Sequence, residues 1–309
     1  MLAVWLLCAV SVNPCYPAQA TQQTPAERAL AEQTAFQNAL NGIADSVVRI
    51  EPSGLSVASL QGAREGTPTA GPSSGLVVGA DGWILTTEFA VPSDIEEVVI
   101  TLPPKKKTTE NTKQSPKRLV GRVTGRELNR RLVLLKCDPE EPLTEAQFVP
   151  QENVRTGEWA LAVGRVWDLY EPSVAIGIVS AVGRCWGRAI QTDAAISPVN
   201  YGGPLLNIEG KVFGIIAPLP AETAGMSTGT ELYDSGVGFA IPMYDIIPLI
   251  PRLKKGETLK PGLLGIGYST TDPINGRPLV EIVRTGSPAA KSGLKSGDLI
   301  TQINGQSIQ

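Results

Sequence analysis

Apolar residues in this chain come mostly in short runs. "GLVVGADGWILTT" has two of them around Asp81-Gly82, the pattern of a β-hairpin. "EEVVITL", "RLVGRVTG" and "RLVLLKC" follow at close intervals. After a spacer over 139–158 a second group appears: "EWALAVGR", "SVAIGIVSAVG", "RAIQTDAA", "GGPLLNIEGKVFGII" and "GVGFAIP". Two clusters of about six short strands predict two packed antiparallel barrels or sandwiches. Helical periodicity is confined to the flanks. Thr24-Pro25-Ala26-Glu27 is a capping box with proline at the first helical position, and Phe36, Leu40 and Ile43 recur at helical spacing, so 25–43 is predicted as one amphipathic helix. "YDIIPLIPRLKK" reads as a short helix interrupted by prolines. Residues 52–74, rich in Gly, Ser, Pro and Thr, read as a long loop.

Composition sharpens this picture. The 309 residues suffice for two or three domains, and 32 Gly with 25 Pro fit many turns and short strands. A net charge of −3 names no partner. The decisive fact is an absence: the chain has no histidine. That removes the usual general base at neutral pH and the commonest transition-metal ligand. With no CxxC pair either, neither a metal nor a cofactor is expected. Cys137 and Cys185 are read either as a disulfide or as two separately buried thiols.

"MLAVWLLCAVSVNPCYPAQA" resembles a secretory leader, with an apolar run from Leu2 to Val12 and an Ala18-Gln19-Ala20 cleavage site. The run is too short to span a bilayer as a helix. The other reading is a start codon placed too early. No later segment is apolar enough to cross a membrane as a helix, so an exported, periplasmic or extracellular location is expected. Between Lys105 and Arg131 lie ten basic and two acidic residues. No aromatic residues interleave with them as a nucleic-acid platform requires, so this stretch is read as a solvated hairpin whose lysines deter edge pairing.

Taken in order, "SSGLVVGADGWILTT", "RLVLLK", "TDAAISPVNYGGPLLNIEGKVFGI" and "GVGFAIP" resemble the HtrA/Deg family: a trypsin-like serine protease domain followed by a PDZ domain. The resemblance covers about 44–309. It implies an all-β-dominated fold, a double six-stranded antiparallel β-barrel followed by a PDZ unit. The implied division is a signal peptide at 1–20, an N-terminal helix at 21–45, a protease-type domain at 46–255 (barrels about 46–140 and 155–243) and a PDZ-like unit at 256–309. Family chemistry uses a serine nucleophile, a histidine base and an orienting carboxylate. Here the family's histidine position reads Phe89, its aspartate position Arg131 and its serine position Tyr201. The oxyanion loop carries Val199 and Asn200, with valine where the family has a flexible glycine. No triad member is left. Ser197, Thr87, Glu88 and Asp193 are the nearby hydroxyls and carboxylates, and no lysine accompanies them in the family pattern.

Tyr201 is expected to fill the emptied cleft with Phe89 packed against it edge to face, or else to hydrogen-bond a bound peptide. Arg131 must reach solvent or pair with a carboxylate such as Glu88 or Asp193. "KPGLLGIGY" resembles the PDZ carboxylate-binding loop, which assigns peptide-binding N–H groups to Leu264, Gly265 and Ile266. In the family a further helix completes the groove, and the chain stops at Gln309 before it, which implies an incomplete groove. The function this implies is an exported pseudoprotease, chaperone-like or regulatory, that binds unfolded or extended polypeptides or protein C-termini. It would form homo-oligomers or assemble with family members, with residues 25–43 contributing. The alternatives are an active endopeptidase with relocated catalytic groups, and a scaffold component.

Overall fold

The computed structural model describes residues 24–52, 71–104, 115–218, 236–268 and 278–307. The expected leader, most of the loop expected at 52–74 and the lysines from Lys105 to Lys113 lie outside them. Helix α1 (Pro25–Ile43) begins at the capping box: the Thr24 hydroxyl accepts the Glu27 N–H at 3.2 Å, and the Glu27 carboxylate accepts the Thr24 N–H at 2.7 Å. Only its last turns are anchored, through Ala39 and Ile43. No helix among the described residues is long and apolar enough to cross a membrane.

The first barrel comprises β1 (Val47–Pro52), β2 (Ser73–Gly79), β3 (Trp83–Thr87), β4 (Glu97–Thr101), β5 (Arg118–Glu127) and β6 (Leu132–Lys136). Their order is β5-β4-β1-β2-β3-β6, and β6 returns to pair with β5. The second comprises β7 (Trp159–Gly164), β8 (Ser173–Gly183), β9 (Ala189–Thr192), β10 (Pro204–Leu206), β11 (Val212–Ile216) and β12 (Gly238–Pro242), closed in the order β10-β11-β12-β9-β8-β7. Each barrel thus has six strands, all paired antiparallel within it, as the spacing of apolar runs predicts. Period-2 alternation feeds separate cores from the two faces of a strand. On β3, Ile84 enters the interior of the first barrel with Val48, Val77 and Leu135. Its neighbour Leu85 points the other way, into a shared core with Leu132 and Leu134 of the first barrel and Leu161, Val163, Leu206 and Ile215 of the second. That shared core fixes one barrel against the other, and any cleft between them inherits its rigidity.

After the second barrel the prolines break the chain into Met243–Ile246, a 3-10 turn at Ile247–Leu249 and helix α2 (Ile250–Lys254). Strand β13 (Thr258–Leu259) then pairs parallel to the end of β5, returning the chain to the first barrel. The distal unit has β14 (Ile266–Tyr268) antiparallel to β15 (Val280–Val283), followed by helix α3 (Pro288–Lys291).

One expectation changes, and one choice between two readings is decided. The described part of the basic stretch is not a solvated edge hairpin, because barrel closure gives β5 a partner on each side, β4 and β6. Its Arg126 is buried and donates to the carbonyls of Val91 (2.9 Å), Pro92 (3.0 Å) and Ile95 (2.6 Å). Cys137 and Cys185 are both free thiols, in different barrels.

Candidate functional site

The site lies where the β3 and β6 ends of the first barrel meet the 197–203 loop of the second. Ser197 opens a 3-10 turn over Pro198–Asn200, with Asn200 Oδ1 accepting the Ser197 N–H at 3.0 Å and its hydroxyl at 3.2 Å. Two small polar residues at the head of β2 fasten this turn to the first barrel. The Ser73 hydroxyl donates to the carbonyls of Tyr201 (2.6 Å) and Pro198 (3.1 Å), and the Ser74 hydroxyl donates to the Val199 carbonyl at 2.6 Å. Ser74 Oγ also accepts the Arg165 N–H at 2.8 Å. Both serines are fully buried, where such hydroxyls are held only by partners. Sequence reasoning missed these supports. The signal was available: adjacent serines opening an otherwise apolar strand need buried acceptors.

Gly202 follows with φ +80°, and a Cβ there would lie 2.2 Å from the Ser74 carbonyl oxygen and 2.4 Å from Thr86 Oγ1. Only glycine combines that dihedral with that approach. Gly202→Ala should destabilise the protein by roughly 3 kcal/mol, summing left-handed strain and overpacking. Thermal unfolding should register a fall of roughly 6–10 °C. A variant melting with the parent would show that the loop relocates freely.

The structure brings together the three positions the resemblance singles out. The rings of Phe89 and Tyr201 meet edge to face, with centroids 5.0 Å apart and planes at 77°. This is the expected packing, and such pairs add ~0.5–1.5 kcal/mol beyond burial. Tyr201 also packs against the interior core of the second barrel, a cluster that includes Leu205, Phe213 and Ile216. Arg131 takes both courses open to it: its half-exposed side chain reaches solvent, and its Nε lies 4.0 Å from Glu88 Oε2. Its carbonyl accepts the Glu88 N–H at 2.8 Å, and its backbone is left-handed at φ +56°. Asp193 instead accepts the Ile178 N–H at 2.6 Å. Behind Phe89, the buried Arg126 pins the 91–95 loop, another support that sequence reasoning missed.

The main-chain donors are turned inward. The Asn200 N–H donates to the Ser197 carbonyl at 2.9 Å, the Tyr201 N–H to Pro198 at 3.2 Å and the Gly202 N–H to Ile216 at 2.8 Å. An oxyanion needs at least one such donor aimed at the cleft.

In the distal unit, Gly265 sits at φ +80° at the entry to β14. The Leu264 carbonyl accepts the Ala289 N–H (3.1 Å), and the Gly265 carbonyl accepts the Arg284 N–H (2.8 Å). Because each peptide unit is planar and trans, the N–H groups of Gly265 and Ile266 point the opposite way from those engaged carbonyls. Among the described residues β14 pairs with β15 alone.

Without histidine, no side chain has its ordinary pKa between pH 5 and 8. Burial pushes the Cys137 thiol up to about 11 and raises Cys185 as well. A proton held more tightly in the folded than in the unfolded state supports stability below the unfolded pKa, and that support is lost as pH rises through the folded one. Urea unfolding should therefore give a nearly constant stability from pH 5.5 to 8, then a decline that begins near pH 9 and runs toward pH 11. Cys137→Ala should flatten most of that decline. An inflection near pH 6.5 would contradict this reading.

A trypsin-like peptidase domain model matches residues 73–215, and a PDZ domain model matches residues 279–309. A probable periplasmic serine endoprotease, DegP-like, of Pseudomonas putida (strain W619) is 32% identical over 250 residues, covering 76% of this chain and 47% of that protein. One of the same description from Rickettsia conorii (strain Malish 7) is 34% identical over 256 residues, covering 77% and 46%. The chain thus spans about half the length of the curated relatives it matches. The crystal structure of a serine endoprotease from Yersinia pestis superposes with a TM-score of 0.60 at 25% identity, covering 88% of this chain and 83% of the other. Two closed six-stranded barrels, a short PDZ domain and these matches lead to one conclusion: the chain belongs to the HtrA/Deg family.

Proposed function

We propose that this chain is a periplasmic pseudoprotease of the HtrA/Deg family, which binds extended polypeptide without hydrolysing it. Phe89, Arg131 and Tyr201 stand at the histidine, aspartate and serine positions of the family's triad. The observation that carries the reading is the edge-to-face Phe89–Tyr201 pair in a chain with no histidine at all. A serine protease needs a base to take the proton from its nucleophile and return it to the leaving amine. Two aromatic rings packed on each other can do neither. Val199, where the family has glycine, belongs to a turn whose N–H groups at Asn200 and Tyr201 are bonded internally, which leaves an oxyanion without them. Ser197 offers no rescue, because its hydroxyl donates to the Asn200 amide oxygen, which is not a base. The polypeptide would be gripped at its C-terminus by the 264–266 turn, beside the open edge of β14, in the manner of PDZ recognition. The periplasmic location rests on the naming of the relatives and on the leader-like residues 1–20.

The test pairs two assays on the purified full chain. A fluorophosphonate probe and fluorogenic casein should give no adduct and no cleavage, while anisotropy with labelled unfolded casein should report saturable binding. Covalent labelling, or cleavage that is lost in Ser197→Ala, would establish an active endopeptidase instead.

A further inference from the structure

A polypeptide held at its C-terminus by the 264–266 turn continues as a strand along the free edge of β14, which has no other partner among the described residues. Hydrogen-bond directions set the register of that strand. The Gly265 carbonyl faces β15, where it accepts the Arg284 N–H at 2.8 Å, so the Ile266 N–H faces the free edge. Ile266 therefore exchanges bonds with the last residue of the polypeptide, and the penultimate residue lies opposite Gly267. Residues opposite one another project from the same face of a sheet. The penultimate side chain thus stands on the face where Gly267 has none.

That face carries a notch with an apolar wall. Gly267 is paired with Ile282 of β15, and a Cβ built on Gly267 would have Ile282 as its nearest neighbour, 3.5 Å from its Cβ and 3.9 Å from its Cδ1. The ladder shifts between Gly267 and Tyr268, so Val280 is buried whereas Ile282, two residues on, is 58% exposed. Nothing in the fold demands glycine at 267. Its backbone is not left-handed, and the added Cβ would make only ordinary contacts. Gly265 is the contrast, with φ +80° and a Cβ position 2.3 Å from Ser287 Cβ. A strand glycine without a conformational reason weakens the strand and marks a place where another group can approach closely.

We propose that this unit selects polypeptide C-termini with an aromatic penultimate residue, whose ring lies across Gly267 and packs on Ile282. An added strand runs about 10 Å from β15, two interstrand spacings, so a small side chain stops short of Ile282 and a ring bridges the notch. An aromatic residue opposite an edge glycine also shields its bare backbone, and Ile282 supplies the far wall. This selectivity rests on the 264–266 grip proposed above.

The experiment measures anisotropy of fluorescein-labelled decapeptides on the full chain. The peptides share one sequence and end in Trp-Val, Phe-Val or Ala-Val, and the Trp-Val peptide is also made as its C-terminal amide. Trp-Val and Phe-Val should bind roughly fivefold or more tighter than Ala-Val, and amidation should cost Trp-Val at least a similar factor. Ile282→Ser, at an exposed position, should bring Trp-Val to within about twofold of Ala-Val. Gly267→Val fills the notch without left-handed strain and should do the same. Equal affinities for the three free acids would overturn the selectivity and leave the grip standing. So would an aromatic preference that persists in both variants. Loss of saturable binding by every free acid, or an amide that binds as tightly as the acid, would overturn the grip and the selectivity together.

Discussion

Tyr201→Ser alone will leave casein hydrolysis at background, and Phe89→His, Arg131→Asp and Tyr201→Ser together will do little better until Val199→Gly is added. The serine by itself has no base, since its neighbour across the cleft is the Phe89 ring. The three-residue replacement rebuilds the proton relay at positions that already lie together, because Phe89 touches Tyr201 and Arg131 bonds to the residue beside Phe89. It leaves the turn closed, however. The N–H of residue 201 still donates to the Pro198 carbonyl across a turn that has residue 199 as an inner member, and opening that turn requires dihedrals at 199 that a β-branched residue resists and glycine accepts. Loss of such a donor costs about 10²–10³ in turnover, and triad members act as a unit rather than additively. The fourfold variant should therefore exceed the parent by about 10³ or more, measured as fluorogenic casein turnover with the fluorophosphonate adduct counted by mass. Hydrolysis by Tyr201→Ser alone would reveal a base that the proposed function leaves out. A folded fourfold variant without adduct would show that the cleft departs from protease geometry beyond these positions.

The barrels were legible because strand length and alternation are local properties. Runs such as "WILTT" and "VFGII", punctuated by Asp-Gly and Glu-Gly, define strands without knowledge of their partners. The capping box at Thr24 and the Phe89–Tyr201 contact were also foreseeable, the first from spacing and the second from two bulky replacements at adjacent family positions. What remained hidden depends on long-range closure. Nothing local says that Arg126 turns inward to gather three carbonyls while Arg122, four residues earlier on β5, stays exposed beside Glu97. The two-residue β13 carries no pattern of its own and pairs only because α2 returns the chain to β5. Ser73 and Ser74 read as a polar lead-in to a strand. Their part in holding the 197–203 loop emerges only when the second barrel, more than 120 residues later, lies against the first.

Arg165→Ala should be among the most destabilising single substitutions in the chain, at about 3–5 kcal/mol, a fall of roughly 8–15 °C in melting temperature. Arg165 follows β7 and is only 1% exposed. Its Nε donates to the Val47 carbonyl at 2.8 Å, one Nη to the Ala44 carbonyl at 2.7 Å and the other to the Leu169 carbonyl. Ala44 and Val47 flank the turn in which α1 becomes β1, so this side chain ties the N-terminal helix to the second barrel. Burial draws its pKa down to about 10, against the opposing influence of Asp45 and Asp168. The charge is therefore held at a cost that the fixed fork of donors offsets. Alanine removes the fork, leaves three acceptors short of a donor and opens a cavity. Arg165→Met separates these effects, since it fills much of the volume and restores no bond, and about 2–3 kcal/mol of loss should persist. Arg165→Lys should not rescue, because a single ammonium cannot address three carbonyls in the plane that a guanidinium spans. Limited proteolysis supplies the discriminating readout: Arg165→Ala should be nicked near 43–46 well below its melting temperature, as α1 detaches before the barrels open. If Arg165→Met matches the parent in stability and protease resistance, the carbonyl cluster is not what holds α1.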